Sequence, residues 1–467
     1  MLTCRRCFLE ITLVVSFLLA WVPVYGADDP AALMEKYGLQ PGMKITKENA
    51  HLIKELVPES VVRRLEAGDY VMTIGKLDPP DILTKVYSPD FYSASEQNAG
   101  KFDVDADGGI IDKATGQRPW PMPYGLPFPK LDLTEDPSKL GAKIHWNAIS
   151  LQGMYNDFDA EVHLASYPRW GAPNRTGVVG GFNLFPEFRR EPVPGLQVPL
   201  LFQEAAIFLA PADAFGTTTL TWRWSDPKKW DSVWIYSPAL RRIRRATAAN
   251  RSDAVLGTEF ILDDPNCYNG KIEMANWKFI GKQAMLMPFA RGQSQAAGDF
   301  TIKLPYHTTS SSRYPQVPTA FEPEGKALTT GYDENPQQYA SWWMVDALWA
   351  IVPAYVSELS PKDPYYNYGR QVIWYDATTF DPVWKVIYNR SGEYWRTGVI
   401  INDFAFFNNH GGKATAATRS LLGVFVDDKL NRGAVAYTGA GNKGYIHYNV
   451  GFTSDRFNME RFLQSGK

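Results

Sequence analysis

The sequence predicts a mainly β fold of the α+β class, in which antiparallel strands form one large sheet. Residues 217–224 show strong alternation between polar Thr or Arg and apolar Leu or Trp, the period of a half-buried strand. Residues 371–375, 383–388 and 394–397 follow one another across short turns, and short turns make antiparallel neighbours. Aromatic residues make up 14% of the chain, so it can bury a large core.

Length and charge limit the class of protein. The chain has 467 residues, which on length alone allows two or three domains, although a large sheet can also form a single domain. Lys and Arg number 48 against 50 Asp and Glu, and the formal net charge is -2. A chain without basic excess gives no electrostatic argument for a nucleic-acid partner, and we expect none.

Residues 1–26 have the pattern of a secretory signal peptide. Arg5 and Arg6 precede an apolar run over 11–22, and small residues follow it. The alternative is a membrane anchor, but the run is short for a span and ends at Pro23. We therefore expect cleavage of the segment and a periplasmic location.

The cysteines agree with this interpretation of the N-terminus. Cys4 and Cys7 would leave with the signal peptide, so Cys267 would remain without an intramolecular disulfide partner. No His is near Cys267 in sequence, and a catalytic thiol needs a base. We interpret Cys267 as incidental rather than catalytic.

An N-terminal helical segment is predicted over residues 27–80, with helices at 46–56 and 61–68. Such a pair could cover one face or end of a sheet, or form an arm that touches a partner. Residues 103–110 resemble the start of a calcium loop, but Asp-Gly is also a common hairpin turn, which we favour. Five prolines in 119–129 predict a surface strap.

Most of the remaining chain is predicted as strands. The candidates before the insertion are 143–149, 160–166, 205–209, 217–224, 232–236 and 277–286, with a turn or bulge at Gly281. Residues 296–336 are rich in Ser, Thr, Pro and Gly and predict a long insertion. Periodicity leaves 342–356 open between a buried helix, which Pro353 opposes, and two short strands. Late strands at 419–427 and 434–437 precede a short terminal helix at 458–463.

Three motifs carry a resemblance to a known family. Residues 234–245 read Trp-Ile-Tyr-Ser-Pro-Ala-Leu-Arg-Arg-Ile-Arg-Arg, a hairpin with one apolar and one basic face. Residues 277–282 form a strand-and-turn element, and 368–376 begin a meander that continues through 383–388 and 392–396. In this order the motifs resemble outer-membrane lipoprotein-sorting-like proteins, a family of unknown function in the superfamily of LolA and LolB.

The resemblance covers about residues 81–463 as one domain and implies an architecture and a role. Its members are similar to an incomplete, highly curved antiparallel barrel whose open side is covered by helices. The apolar inner face of such a fold holds acyl chains or comparable lipid groups. The family also implies transport across the periplasm, with a resistance-nodulation-division (RND) type transporter or an outer-membrane partner. This chain is much longer than the small carriers.

Candidate site residues follow from the strand pattern. The pool from which we expect an apolar cavity lining comprises Trp222, Trp224, Trp234, Tyr236, Ile243, Trp277, Phe279, Trp374, Val386 and Tyr388. The alternative is that they are ordinary core, since apolar strand residues need no ligand to explain them. A second set is predicted to meet anionic head groups or an acidic partner, with a solvated face as the alternative: Arg241, Arg242, Arg244 and Arg245.

The sequence contains no recognisable catalytic signature. Its six His residues lack metal-ligand spacing, and phosphate-binding loops, dinucleotide fingerprints and nucleophile elbows do not occur. We expect no cofactor, no metal and no catalysis. The competing hypothesis is a periplasmic glycan-binding or glycan-acting protein, using a loop His410 or the pairs Asp157 with Asp159 and Asp376 with Asp381. A carrier predicts an apolar cavity, whereas a glycan protein predicts a polar groove.

Overall fold

The structure is a computed structural model. It describes residues 29–78, 89–184, 189, 199–290, 298–303, 308–309, 322–323, 328–408, 414–438, 444–448 and 450–465. The predicted signal peptide, His410 and most of the predicted insertion lie outside these residues. Across the described ranges, no helix combines the length and apolar character that a membrane span requires.

One sheet organises the described part of the chain, where it has 16 strands. Its strands in chain order are β1 (Lys44–Ile45), β2 (Met72–Ile74), β6 (Asp157–Pro168), β7 (Arg175–Leu184), β8 (Leu200–Ala210), β9 (Thr218–Trp224), β10 (Ser232–Ser237), β11 (Arg242–Ala246), β12 (Ala275–Phe289), β16 (Leu348–Pro361), β17 (Gln371–Asp376), β18 (Pro382–Tyr388), β19 (Tyr394–Asn408), β20 (Ala414–Asp427), β21 (Arg432–Tyr437) and β22 (Tyr445–Tyr448). Three small two-stranded sheets pair β3 (Lys76–Asp78) with β13 (Thr301–Lys303), β4 (Phe102–Val104) with β5 (Ile110–Asp112), and β14 (Thr308–Thr309) with β15 (Glu322–Pro323).

The strand order confirms a large sheet that does not close into a barrel. It runs β1-β2-β16-β17-β18-β19-β20-β21-β6-β7-β8-β9-β10-β11, with β12 on the other side of β16 and β22 beside β6. All described pairs in it are antiparallel except β2 with β16, so the sheet is mixed. Short turns between sequential strands produce this pattern, because a tight connection can only return the chain antiparallel.

Residues 342–356, for which the sequence leaves helix and strand open, end in strand β16. Pro353 lies in β16 opposite Ala284 of β12, and on the other side of the strand it lies between the stretch that pairs with β2 and the stretch that pairs with β17. β17 pairs from Ala354 onward, so the missing N–H of the proline breaks no bond to that strand. At Gly281 the register of β12 against β16 shifts, which is the bulge that the sequence predicts.

One predicted strand is wrong, because residues 143–149 lie inside a helix. The described helices are α1 (Pro30–Lys36), α2 (Glu59–Glu66), α3 (Pro89–Asn98), α4 (Pro137–Ser150), α5 (Gly331–Glu334) and α6 (Met459–Ser465). The Asp136 carboxylate accepts hydrogen bonds from the backbone N–H groups of Ser138 and Lys139, and Pro137 occupies the first turn. Every residue of α4 from Leu140 onward is buried, so no polar stripe marks the helix in the sequence.

The N-terminal segment contains more than helices. α2 matches the second predicted helix, but the first is only a short 3-10 turn at Ala50–Ile53. β1 and β2 from this segment join the main sheet. Residues 103–110 belong to the β4–β5 hairpin, in whose turn the Asp105 carboxylate accepts hydrogen bonds from the N–H groups of Asp107 and Gly109.

The two faces of the sheet are covered differently. On one face an aromatic row is stacked, with ring centroids 3.6 Å apart for Tyr70 and Trp343, 5.4 Å for Trp343 and Trp349, and 5.7 Å for Trp349 and Trp384. Lys385 follows Trp384 and therefore points to the opposite face. That face carries α4 and the cover segment, which we define as residues 248–274.

Candidate functional site

A cavity of about 240 Å³ lies between the sheet, the C-terminal end of α4 and the cover segment. Its wall takes residues from β6, β7, β8 and β18 to β22. From β18 to β8 the strand order makes six steps, which at about 4.8 Å each would span about 29 Å in a flat sheet. Strands so far apart can border one small cavity only because the sheet curves around it.

The wall is mainly apolar, and small residues keep it open. β6 contributes Phe158, Ala160, Val162 and Leu164, which are alternate residues and therefore share one face. The small residues of the wall are Ala148, Ala160, Ala206, Gly423 and Ala436. Where an interior position carries a methyl group or a hydrogen, neighbouring side chains leave a space that larger residues would fill.

The cover segment closes the cavity with an irregular backbone. Short 3-10 turns replace longer helices here, at Ala248–Ser252, Val255–Gly257 and Ile272–Met274. Leu256 and Asn266, of which Asn266 borders the cavity, both have a positive φ of 53°, a conformation that side-chain-bearing residues rarely adopt. Such conformations persist where surrounding contacts hold them, and the cover segment makes many such contacts.

Ion pairs supply some of those contacts. Lys385 with Asp264 and Arg432 with Glu259 join the cover segment to the sheet, and Arg251 with Asp263 lies within the segment. The nitrogen-to-oxygen distances are 2.6 Å for Arg251 and Asp263, 2.8 Å for Arg223 and Asp231, 2.9 Å for Lys385 and Asp264, 3.1 Å for Arg396 and Asp427, and 3.1 Å for Arg432 and Glu259. Tyr366 also donates a hydrogen bond to Asp263. Because these cations have carboxylate partners, their charge is neutralised behind the cavity wall.

The carboxyl groups at the wall differ in their surroundings. Glu204, Asp264 and Asp381 all border the cavity. Burial raises the pKa of Asp264, and the Lys385 ammonium group opposes that rise. Burial also raises the pKa of Glu204, whereas Arg251 and Arg223 act on it only through longer-range attraction. The wall therefore presents acidic groups and an apolar surface.

The residues considered for catalysis mostly have structural partners. Asp157 accepts hydrogen bonds from the backbone N–H groups of Val450, Gly451 and Phe452, and so holds the C-terminal segment. Asp376 accepts from two backbone N–H groups in the β17–β18 turn, and burial raises its pKa to about 6. Among the described residues, no group of three or more His, Cys, Asp or Glu side chains could hold a metal ion.

His145 and Cys267 are both buried in the core. The Nδ1 atom of His145 lies 2.9 Å from the Tyr375 hydroxyl, and its ring stacks on Trp277 with centroids 4.5 Å apart. Burial lowers the pKa of His145 to about 3 and keeps the imidazole neutral. Burial also raises the pKa of the Cys267 thiol, so it stays protonated and unreactive.

Comparison with known protein families identifies the family of this chain. The family described as protein of unknown function DUF1329 matches residues 44–461. The chain belongs to the DUF1329 family. This confirms the resemblance on which the sequence analysis relied. No curated protein matches the chain.

Solved structures similar to this DUF1329 chain include three proteins with low sequence identity. A putative outer membrane lipoprotein-sorting protein domain from Vibrio parahaemolyticus is 16% identical, with a TM-score of 0.43 over 69% of this chain and 98% of that one. A DUF1329 family protein from Desulfovibrio piger is 14% identical, with a TM-score of 0.43 over 70% and 100%. A LolA superfamily protein from Nitrosomonas europaea is 11% identical, with a TM-score of 0.35 over 69% and 98%.

The ten residues predicted to line an apolar cavity do not line this one in the DUF1329 chain. None of them is among the described residues that border the cavity. One group packs with Phe457 and Phe462 near the C-terminus and consists of Trp222, Trp234, Tyr236 and Ile243. A second group packs against the main core and consists of Trp277, Phe279 and Trp374. Trp224 lies under the Lys229 ammonium group at 3.0 Å, Tyr388 lies under the Arg370 guanidinium at 3.7 Å, and Val386 is buried.

The basic residues of the DUF1329 hairpin are at the surface. Arg241 occupies the turn with a φ of 48°, and Arg242, Arg244 and Arg245 are exposed on β11, the last strand of the sheet. Ile243, between them, packs against a small apolar cluster. Their contact with anionic head groups stays a prediction. The residues that sequence reasoning missed are the small ones of the cavity wall.

Proposed function

We propose that this chain is a non-catalytic carrier that binds a lipid, lipoprotein acyl chains or another hydrophobic ligand in the cavity. The observation that carries the proposal is the cavity itself, an apolar space enclosed by a curved sheet, α4 and the cover segment. A carrier must release its ligand unchanged, so burial of apolar surface is sufficient and no reacting group is required.

The size of the cavity supports a modest ligand. Small-molecule sites commonly measure about 300–1,000 Å³, and this one is just below that range at about 240 Å³. Each CH₂ group removed from water contributes about 0.8 kcal/mol. A chain of eight carbons would thus gain about 6 kcal/mol before the costs of association are subtracted. Longer acyl chains would require the cover segment to move.

A periplasmic location and a transport partner complete the proposal. The N-terminal 26 residues have the signal pattern, which supports the location. The proposed partner is an RND-type exporter or an outer-membrane protein, as the resemblance to lipoprotein-sorting-like proteins implies. The paired charges beneath the cavity are compatible with a binding role, because Arg223, Arg251 and Lys385 each have an acidic partner.

The test is native mass spectrometry with lipid extraction of protein purified from the periplasm. We expect a hydrophobic molecule to co-purify, and Ala206→Phe to reduce its amount severalfold because the ring would occupy the cavity. Leu209→Phe is the matched control, since position 209 lies on the same strand and is 40% exposed. The absence of any hydrophobe over several preparations, together with a rise in melting temperature on adding a soluble glycan, would favour the glycan hypothesis.

A further inference from the structure

One acidic group stands apart from the ion pairs around the cavity. Glu204 lies on β8, two residues before Ala206, and both side chains border the cavity. Among the described residues, none donates a hydrogen bond to the Glu204 carboxylate. It is neither at the outer surface nor tied to the cover segment.

The nearby cations are engaged elsewhere. The Arg223 guanidinium binds Asp231 at 2.8 Å and also donates to the Asn269 carbonyl. The Arg251 guanidinium binds Asp263 at 2.6 Å and donates to the same carbonyl. Their attraction reaches Glu204 only at longer range, so the carboxylate remains without a direct partner inside a mainly apolar space.

Such a group is costly unless a ligand satisfies it. Glu204 is half-buried, and a carboxylate that lines a mainly apolar cavity without a hydrogen-bond donor is poorly solvated, a cost that a donor from a ligand would relieve. An anionic head group would instead meet the Glu204 carboxylate, which has no directly bound cation among the described residues, with charge of the same sign. The cavity wall thus favours a ligand head group that donates hydrogen bonds and disfavours an anionic head group.

We propose that Glu204 is a specificity-determining residue that binds the hydrogen-bond-donating head of an amphiphile, with a protonated amine preferred, while the apolar wall holds the tail. This rests on the proposed function, since it assigns the head group of a ligand for the same cavity. The preference comes from charge: an ammonium group can donate to Glu204 and neutralise it, whereas a hydroxyl can only donate.

The experiment compares three ligands with the same tail, octylamine, octanol and octanoate, by displacement of a fluorescent hydrophobic dye at neutral pH. We expect octylamine to bind about tenfold to a hundredfold more tightly than octanoate, with octanol between them. Glu204→Gln should weaken octylamine binding about tenfold and leave octanol binding within about twofold. Glu66→Gln, on the exposed face of α2, is the matched control and should change neither.

The outcomes separate this inference from the carrier proposal. Equal binding of octylamine and octanoate by the natural chain would overturn the role of Glu204 while leaving an apolar carrier in place. An unchanged octylamine preference in Glu204→Gln would do the same. Failure of all three ligands and of the dye to bind would overturn both proposals. The comparison of ligands on the natural chain needs no variant, so a folding defect in Glu204→Gln does not prevent a decision.

Discussion

The two faces of the sheet bury similar strands in different ways. On one face, Trp343, Trp349 and Trp384 stack and fill the space between the sheet and the N-terminal segment. On the other, Ala206, Gly423 and similar residues leave a cavity, and ion pairs instead of rings attach the covering chain. Large side chains fill the space on the first face, whereas small side chains on the second face leave room for a ligand.

The largest expected effect tests the filled face. Trp384 is fully buried, stacks on Trp349 and donates its indole N–H to the Leu286 carbonyl at 2.8 Å. Trp384→Ala should lower the free energy of unfolding by about 3–5 kcal/mol, measured by urea denaturation, because it leaves a cavity and an unpaired carbonyl. Phe215→Ala at a 62% exposed position should change it by less than about 0.5 kcal/mol. If Trp384→Ala lowered the free energy of unfolding by less than about 1 kcal/mol, large side chains would not be what stabilises this face.

The next prediction concerns the attachment of the cover segment. Lys385 and Asp264 are both fully buried, with 2.9 Å between Nζ and Oδ1. Lys385→Met leaves a buried carboxylate without its cation and should cost about 3 kcal/mol of unfolding free energy in the same assay. The double variant Lys385→Met with Asp264→Leu should recover most of that loss, because no charge is then stranded. If the double variant were as unstable as Lys385→Met alone, the ion pair would have a role beyond the neutralisation of its two charges.

A third prediction uses pH to test burial at the end of β17. Burial raises the pKa of Asp376 from 3.8 to about 6, so between these values the folded protein binds more protons than the unfolded chain. The contribution of this group to the free energy of unfolding is therefore largest below the lower value. It is lost as pH rises through that window, by at most about 3 kcal/mol.

The Asp376 effect is measured as a difference between two proteins. Asp376→Asn keeps an oxygen that can accept from Thr378 and Thr379 but does not titrate. Relative to the natural chain, this variant should gain unfolding free energy as pH rises from about 4 to about 6, as followed by thermal or urea denaturation at each pH. Parallel stability profiles for the two proteins would rule out a raised pKa at this site.

The smallest expected effect on stability is at the hairpin arginines. Arg242→Gln with Arg244→Gln should change the free energy of unfolding by less than about 0.5 kcal/mol, since both side chains are exposed. Binding to anionic vesicles in a sedimentation assay should weaken by about 1 kcal/mol per arginine, while neutral vesicles serve as the blank. Lys47→Gln with Lys54→Gln removes the same charge from another exposed site and should leave vesicle binding unchanged. Equal losses in both double variants would mean that net charge, and not the hairpin, determines binding.

Much of the sheet was predictable because local pattern and tertiary position agree in it. β9 alternates along its length, and β17 to β19 are joined by short turns, so periodicity and turn chemistry indicate the same structure. Helix α4 was mistaken for a strand because burial on all sides removes the polar stripe that reveals a helix. Its start was marked by Asp136 and Pro137, and that capping signal should have outweighed the alternation.

The cavity could not be predicted from the residues chosen for it. The strand pattern places Trp277 and Trp374 in the predicted lining, but large apolar side chains also fill space and pack in the core. The wall depends on Ala160, Ala206 and Ala436, from strands whose adjacency only the fold determines. Glu204 carried no sequence signal, since its lack of a partner becomes visible only when Arg223 and Arg251 are seen bound to other carboxylates.

Because the described sheet does not close, its outer strands leave rows of backbone groups where a second copy of the chain could add a strand and begin aggregation, and β11 and β12 are two of these strands. At one rim, the arginines of β11 would repel an identical strand laid beside them. At the other rim, the bulge at Ile280 and the proline at Pro288 interrupt β12, and Gly141 of α4 approaches the backbone at Lys278 so closely that an added Cβ would lie 2.9 Å from it. These features oppose the addition of a strand at the two rims, and replacing the arginines should promote fibrils before it affects folding.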